Sequence, residues 1–399
     1  MEKNKLALHG GKPVRDAYLP YGKQWIDDDD IKAVINALKS DYITTGPTIS
    51  QFEKAVAEFV GAKYAVAFSS GTAALHAACF AAGIKEKDEV ITTPLTFAAS
   101  ANCILYVGAH PVFADINPNT YNISPKSIQS QITEKTKAII AVDFTGQPAD
   151  YDEIMSIAKN NKIIVIGDAA HSLGSTYKGG KVGSIGDMTM FSFHPVKHIT
   201  TGEGGMITTN NEDYYEKLLQ FRSHGITRDP QKLSKINEPW YYEMQELGFN
   251  YRMTDIQAAL GLSQMKKLKT FIEKRREFAK IYNDAFEDMD AIITPFQQPS
   301  CHSSWHLYII RINSEKLSTN RSEIFQALLA ENIGVNVHYI PVYLHPYYQK
   351  IGYKKGLCPN AEKIYQEIIT LPLFPKMSER DLNDVIAGVK KVISYYSID

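Results

Sequence analysis

Two apolar stretches, KAIIAVDFTG at 137–146 and KIIVIGDAAHSLG at 162–174, constrain the fold of this chain most. Each holds a short, unbroken apolar run rich in β-branched residues, AIIAV at 138–142 and IIVI at 163–166. Strands of that kind are buried on both faces, as happens in parallel sheets covered by helices. A helix around Ile154 to Lys159 separates them. The same alternation runs upstream. YAVAFSSGTAALHAACFAAG reads as strand, tight turn and small-residue helix, and EVITTPLTFAASANCILYVGAHPVFADI as strand, helix, strand. The predicted class is α/β with a mostly parallel central sheet.

Helices flank that pattern. In IDDDDIKAVINALKS the aspartates cap a helix on which Ile31, Val34, Ile35 and Leu38 share one face. SQFEKAVAEFVGAK repeats the spacing with Phe52, Val56 and Phe59 and ends at Gly61. Beyond Asp255 the pattern changes. The segment 254–286 reads as one long helical stretch opened by Thr254 and Gln257 at capping-box spacing. It carries the chain into a smaller α+β domain with strands HLYIIRIN and VNVHYIPVY and helices near 322–331 and 379–395. The expected division is a large domain over 15–262 and a small C-terminal domain over 263–399, with 1–14 packed against the body. A length of 399 residues exceeds one comfortable core, which agrees with two.

Bulk composition excludes several classes. Lys+Arg 43 against Asp+Glu 44 leaves a net charge of -1, so no broad nucleic-acid surface is expected. No uninterrupted apolar run is long enough for a membrane span, and the N-terminus has no secretory pattern. Cys79, Cys103, Cys301 and Cys358 are scattered without CxxC spacing and read as reduced thiols of a cytoplasmic protein without a metal site.

The chemistry gathers at FSFHPVKHITTGEGG, residues 191–205. A lysine amine in an apolar approach is desolvated, which lowers its pKa and exposes a nucleophile able to form a Schiff base with an aldehyde. Pyridoxal phosphate is the usual aldehyde, and it needs an acidic partner for its ring nitrogen. Asp168 ends a buried strand where α/β sheets bind ligands. The turn 69–72 runs from strand to helix and presents Ser70, Gly71 and Thr72 to an anion, with Ser192 as a further donor. Phe97 or His171 offers a stacking face. Taken singly each has a plainer reading: a surface lysine, a turn-capping Asp, an ordinary turn. Their conjunction points to Lys197 as a cofactor-bearing amine.

SSGTAAL, PLTFAAS, GDAAHSLGSTYKGGKVG, FSFHPVKHITTGEGG and GFNYRMTDIQAALGL together resemble the DegT/DnrJ/StrS family of nucleotide-sugar aminotransferases. The likeness runs from GGKPVR to VHYIPVY and implies a fold-type I pyridoxal 5'-phosphate enzyme. It implies that Lys197 carries the cofactor, Asp168 pairs with the ring nitrogen, His171 supports that carboxylate and Phe97 stacks on the ring. Gly71, Thr72 and Ser192 would hold the phosphate. Asn250 would reach the cofactor phosphate of a neighbouring subunit, making a homodimer the active unit, with Arg252 a nearby candidate for the same task or for a substrate carboxylate. Tyr21, Asp41, Tyr42, Ile43, Thr44, His338 and Tyr339 lie where the family contacts the sugar nucleotide.

Within the family, the HPVK-ITTGEGG form and VHY-PVY are most similar to members that aminate C4 of a UDP-linked 4-keto-6-deoxy-N-acetylhexosamine in pseudaminic acid synthesis. The implied donor is L-glutamate, released as 2-oxoglutarate. His198 stands where proline or asparagine is more frequent after the lysine. Sugar dehydration, for which relatives place histidine at the lysine position, is disfavoured by Lys197. A dTDP-4-keto-6-deoxyhexose or UDP-4-keto-pentose is the alternative acceptor. A non-catalytic regulator would need a DNA-binding module that the sequence does not offer.

Overall fold

The computed structural model describes residues 5–235 and 238–398. Seven strands form the main sheet: β1 (Tyr64–Phe68), β2 (Glu89–Thr92), β3 (His110–Phe113), β4 (Thr136–Val142), β5 (Ile164–Asp168), β6 (Met188–Ser192) and β7 (Gly205–Thr209). Their order is β1-β7-β6-β5-β4-β2-β3. β7 pairs antiparallel with β1 and β6, and the pairs β3–β2, β2–β4, β4–β5 and β5–β6 are parallel. Alternate residues of β4 point to opposite cores. Ala138 and Ile140 pack with the helix Gly71–Ala81, whereas Ile139 and Ala141 pack with Tyr151, Ile154 and Ala158. Burial on both faces is why these strands carry no polar alternation.

The capped termini form as their residues dictate. Asp27 accepts from the Asp30 amide and Asp30 returns the bond, closing a capping box on the helix Asp28–Leu38. Gly61 ends Pro47–Val60 at φ 78°, a left-handed turn that suits glycine. Thr254 and Gln257 close the second box.

Two expectations need correction. The stretch 254–286 is two helices, Asp255–Met265 and Leu268–Phe286, broken at Lys266 and Lys267. Lys267 Nζ turns aside at that break to bind Asp27 and Asp30 at 2.7 and 2.6 Å. The segment VNVHYIPVY is not a regular strand: Asn336 makes an isolated bridge to Thr370, and a 3-10 turn follows at Val342–Leu344. The apolar stripe of Asp28–Leu38 faces outward, with Ile31, Ile35 and Leu38 43–56% exposed, because Asp30 and Ala37 occupy its inner face. Asp30 is fully buried, and Gln264 Nε2 as well as Lys267 holds its carboxylate.

The C-terminal part is built on a three-stranded sheet of Ile292–Ile293, Tyr308–Ile312 and Ile368–Leu371. Tyr308, Ile310 and Ile312 pack against Phe278 and Tyr282 of the long helix and Val385, Val389 and Ile393 of the helix Glu379–Tyr396. Leu6 and Leu19 join the same core. Glu331, fully buried, ties the N-terminal segment down by accepting from the amides of Ala7 and Val14. Among the described residues, no helix is long and apolar enough to cross a membrane.

Candidate active site

Because β1, β2, β5 and β6 run parallel, the segments leaving their carboxyl ends meet on one side of the sheet. A cavity of about 720 Å³ opens there. Its wall includes Ser70, Gly71, Thr72, Phe97, Asp168 and His171, together with Ser192, Lys197, His338, Tyr339 and Tyr21.

The anion cup forms where β1 enters the helix Gly71–Ala81. Ser70 caps that helix, its Oγ accepting from the Ala73 amide at 3.1 Å. The Gly71 and Thr72 amides are first-turn donors beside the positive end of the helix dipole. A Cβ on Gly71 would stand 3.3 Å from Met190 Sδ and Ser192 Cβ, so glycine keeps the cup open between helix and β6.

Lys197 rides on a loop pinned at both ends. Ser192 pairs with Gly205 in the β6–β7 ladder, and the Phe193 and Thr201 amides bond the Gly204 and Phe193 carbonyls. Phe193 and Ile199 bury their side chains beneath it. The Lys197 ammonium is lowered to about 8 by burial; Asp168 opposes the shift and the Arg275 charge adds to it. Asp168, 4% exposed, ends β5. Burial pushes its carboxyl up, against hydrogen bonds from the Ser100 hydroxyl at 2.6 Å and the Ala170 amide at 3.2 Å and against the Lys197 charge.

His171 is placed differently from its expected role. The Asp168 carboxylate takes its bonds from Ser100 and Ala170, and the His171 ring turns to the Tyr339 hydroxyl, 3.2 Å from Nε2. Burial, then the Lys197 charge, hold His171 well below the usual imidazole range, so it is neutral. Phe97 is 60% exposed toward the cavity, its ring 6.2 Å from that of Tyr339.

The sugar-side expectations divide. Tyr21, His338 and Tyr339 reach the cavity. His338 is held by Thr370 Oγ1 at 2.8 Å from Nδ1 and lies 5.1 Å from the Tyr21 ring. Asp41, Tyr42, Ile43 and Thr44 form an exposed loop that does not line it, and Asn250 and Arg252 lie outside it too. These last residues share one region: Thr44 bridges Thr254, and the Asp255 amide bonds the Ile43 carbonyl.

Sequence reasoning passed over Ser100 and His306. Ser100 lies 68 positions from Asp168 and His306 lies 109 positions from Lys197, so only the fold brings them together.

An anion cup, a buried acid and a desolvated amine share one cavity with a neutral imidazole and an open aromatic face. This donor set fits a phosphorylated pyridine aldehyde: the cup for the phosphate, Asp168 for the ring nitrogen, Lys197 for the aldehyde.

The DegT/DnrJ/EryC1/StrS aminotransferase family matches residues 24–390. The spore coat polysaccharide biosynthesis protein SpsC of Bacillus subtilis is 45% identical over 95% of this chain and 98% of its own. A UDP-4-amino-4,6-dideoxy-N-acetyl-β-L-altrosamine transaminase of Campylobacter jejuni is 42% identical over 91% and 94%. Helicobacter pylori PseC, an aminotransferase involved in the biosynthesis of pseudoaminic acid, superposes with TM-score 0.88 and 33% identity over 95% of this chain and all of that one. The PLP-form of Spr1654 from Streptococcus pneumoniae gives TM-score 0.88 at 32% identity over 95% and 99%. The chain therefore belongs to the DegT/DnrJ/EryC1/StrS family and is a pyridoxal-phosphate-dependent sugar aminotransferase.

Proposed function

We propose that this enzyme moves an amino group from L-glutamate to C4 of a UDP-linked 4-keto-6-deoxy-N-acetylhexosamine. The product would be UDP-4-amino-4,6-dideoxy-N-acetyl-β-L-altrosamine, made in the cytoplasm for a pseudaminic acid-type glycan. The observation that carries this reading is the 42% identity, over 91% of the chain, to a relative named for that reaction. The name of the Bacillus relative, at 45%, refers only to coat polysaccharide and specifies no sugar, so amination of another nucleotide 4-keto sugar, a dTDP-4-keto-6-deoxyhexose or a UDP-4-keto-pentose, is the second reading.

The residue roles in this reading are as follows. Gly71, Thr72 and Ser192 would hold the cofactor phosphate, and Phe97 would pack on its ring. Bound pyridoxal phosphate supplies the aldehyde that receives and returns the amino group, and a ring that withdraws electrons from the reacting carbon. Lys197, its ammonium lowered to about 8 by burial so that a substantial share of the amine is unprotonated near that pH, takes a proton at Nζ from the donor carbon and delivers it on the other side of the transfer. Asp168 would pair with the ring nitrogen and favour its protonated form. Tyr21, His338 and Tyr339 contact the sugar, with Asp41, Tyr42, Ile43, Thr44, Asn250 and Arg252 completing a neighbouring subunit's site in a homodimer. Donor and acceptor use one cavity in turn, so the kinetics are ping-pong.

The test is a panel of UDP- and dTDP-linked 4-keto sugars with L-glutamate, the products identified by mass and NMR. Selective formation of the 4-amino-altrosamine product supports the first reading; preference for a dTDP-sugar or a UDP-pentose replaces it with the second. In parallel, Lys197→Ala should lose turnover and the visible absorbance of lysine-bound cofactor. Full turnover in that variant refutes the lysine's role.

A further inference from the structure

One ring in the cavity wall has no part in the roles above. His306, 3% exposed, leads into the strand Tyr308–Ile312 and places Nε2 3.4 Å from Lys197 Nζ. The ring is fixed on several sides. His171 packs on it at 4.4 Å between centroids and His198 at 5.7 Å. Behind it, Arg275, itself 1% exposed, donates from Nη1 to the His306 carbonyl at 3.1 Å, to Trp305 O at 3.3 Å and to Leu373 O at 2.8 Å. Among the described residues, Nδ1 of His306 has no hydrogen-bond partner. The polar contact of this ring is therefore the Lys197 amine.

We propose that His306 is a positioning residue for Lys197: its Nε2 accepts a hydrogen bond from the amine and fixes where that amine sits, so that the transferred proton rides on the lysine and not on the ring. The assignment rests on the role of Lys197 proposed above. A neutral imidazole that accepts at Nε2 carries its own proton on Nδ1. A lysine stem is flexible, and a proton shuttle must lie within hydrogen-bond reach of the reacting atom. A clamped acceptor supplies that restraint.

The surrounding charges keep the two partners in distinct roles. Asp168 from β5 favours the ammonium, and Arg275 from the helix Leu268–Phe286 opposes it. The imidazoles His171, His194, His198, His306 and His338 surround the amine. Each is depressed by burial first, with the Lys197 charge adding to the shift. Of these five, His194, the least enclosed, has a nearby carboxylate, Glu203, that partly opposes the shift. His306, well below the usual imidazole range, does not take up a proton beside Lys197.

The test uses the full chain freed of cofactor. Lys197 is arylated with trinitrobenzenesulfonate across a pH series and its modification read by peptide mass. The wild-type midpoint is expected near 8. His306→Phe removes the acceptor that favours the ammonium, so the midpoint should fall by about one unit. His306→Gln, whose amide oxygen accepts in its place, should move it back toward wild type. In the cofactor-loaded enzyme, His306→Phe should lower kcat about tenfold and leave both KM values within about twofold, because the ring holds the amine and not a substrate.

An unmoved midpoint in His306→Phe, or a Gln variant no better than Phe, overturns the proposal. If the Phe variant does not fold, His306→Asn, too short to reach the amine, replaces it with the same expectations. Lys197→Ala separates the two failures. If that variant keeps turnover, the reading of Lys197 falls. If it loses turnover while the His306 variants titrate as wild type, only the positioning role falls.

Discussion

The Ser100 hydroxyl donates a hydrogen bond of 2.6 Å to Oδ2 of Asp168. Ser100 is itself 2.7 Å from Thr96 Oγ1, and both hydroxyls are buried. A buried carboxylate stays ionised only when donors and cations offset its lost hydration. Of the influences that hold the Asp168 carboxyl down, the Ser100 bond is the largest, ahead of the Ala170 amide and the Lys197 charge.

Ser100→Ala should therefore raise the Asp168 pKa further and weaken its hold on a protonated ring nitrogen. A hydrogen bond to a charged group contributes about 1.5–3 kcal/mol, so the transamination half-reaction should slow roughly tenfold to a hundredfold. Single-turnover kinetics with L-glutamate measures this. A half-reaction at the wild-type rate would mean Asp168 does not depend on Ser100.

Asp143 gives a prediction about stability. It is fully buried behind the site, accepting from Ser172 Oγ at 2.6 Å and from the Ala149 amide at 2.9 Å. Burial pushes its carboxyl up to about 7. A carboxyl whose folded pKa lies above its unfolded value near 4 gives stability that is complete below that value. That stability is lost as pH rises toward 7. The melting temperature of the wild type should thus fall by several degrees between about pH 5 and pH 8, and Asp143→Asn, which cannot ionise, should show a flatter profile. Equal slopes in the two proteins would exclude Asp143 as the source.

Much of this architecture was legible beforehand because it depends on local pattern. Apolar runs marked β4 and β5, and Thr254 with Gln257 marked a helix start. That Asp168 and Lys197 line one cavity was legible because parallel strands deliver their carboxyl ends to one side of a sheet. Periodicity, however, reports an apolar stripe without reporting what covers it. Ile31, Ile35 and Leu38 have helical spacing yet face outward, because Asp30 on the opposite face is held by Lys267 and Gln264 from a distant helix. The Ser100–Asp168 and His306–Lys197 contacts, and the turn of His171 toward Tyr339, are tertiary and leave no mark at short range.

Glu331 should be a stability determinant remote from the chemistry. Its carboxylate is fully buried, pairs with Lys391 Nζ at 2.8 Å and accepts from the Ala7 and Val14 amides. Glu331→Ala leaves a lysine 14% exposed without its counter-ion and frees two amides of the N-terminal segment. Breaking one side of such a pair costs about 3–5 kcal/mol. Denaturant unfolding should show that loss, and limited proteolysis should cut near the N-terminus first. Wild-type stability with a protected N-terminus would show that the hydrophobic packing of Leu6 suffices to hold the segment.

Asn250 and Arg252 offer the test of assembly. Both lie outside the cavity of their own chain, Asn250 exposed and Arg252 half-buried. If each site takes Lys197 from one subunit and Asn250 from the other, Lys197→Ala and Asn250→Ala should each be severely impaired as pure proteins. Mixed after reversible dissociation, they should recover activity. A random mixture of symmetric dimers is half hybrid, and each hybrid holds one intact site of two, so about a quarter of wild-type turnover should return. Recovery requires residues from two chains in one site, since a site built within one chain would carry a defect in every subunit. A mixture no more active than its parts, with subunit exchange verified by mass, would place Asn250 outside the shared site.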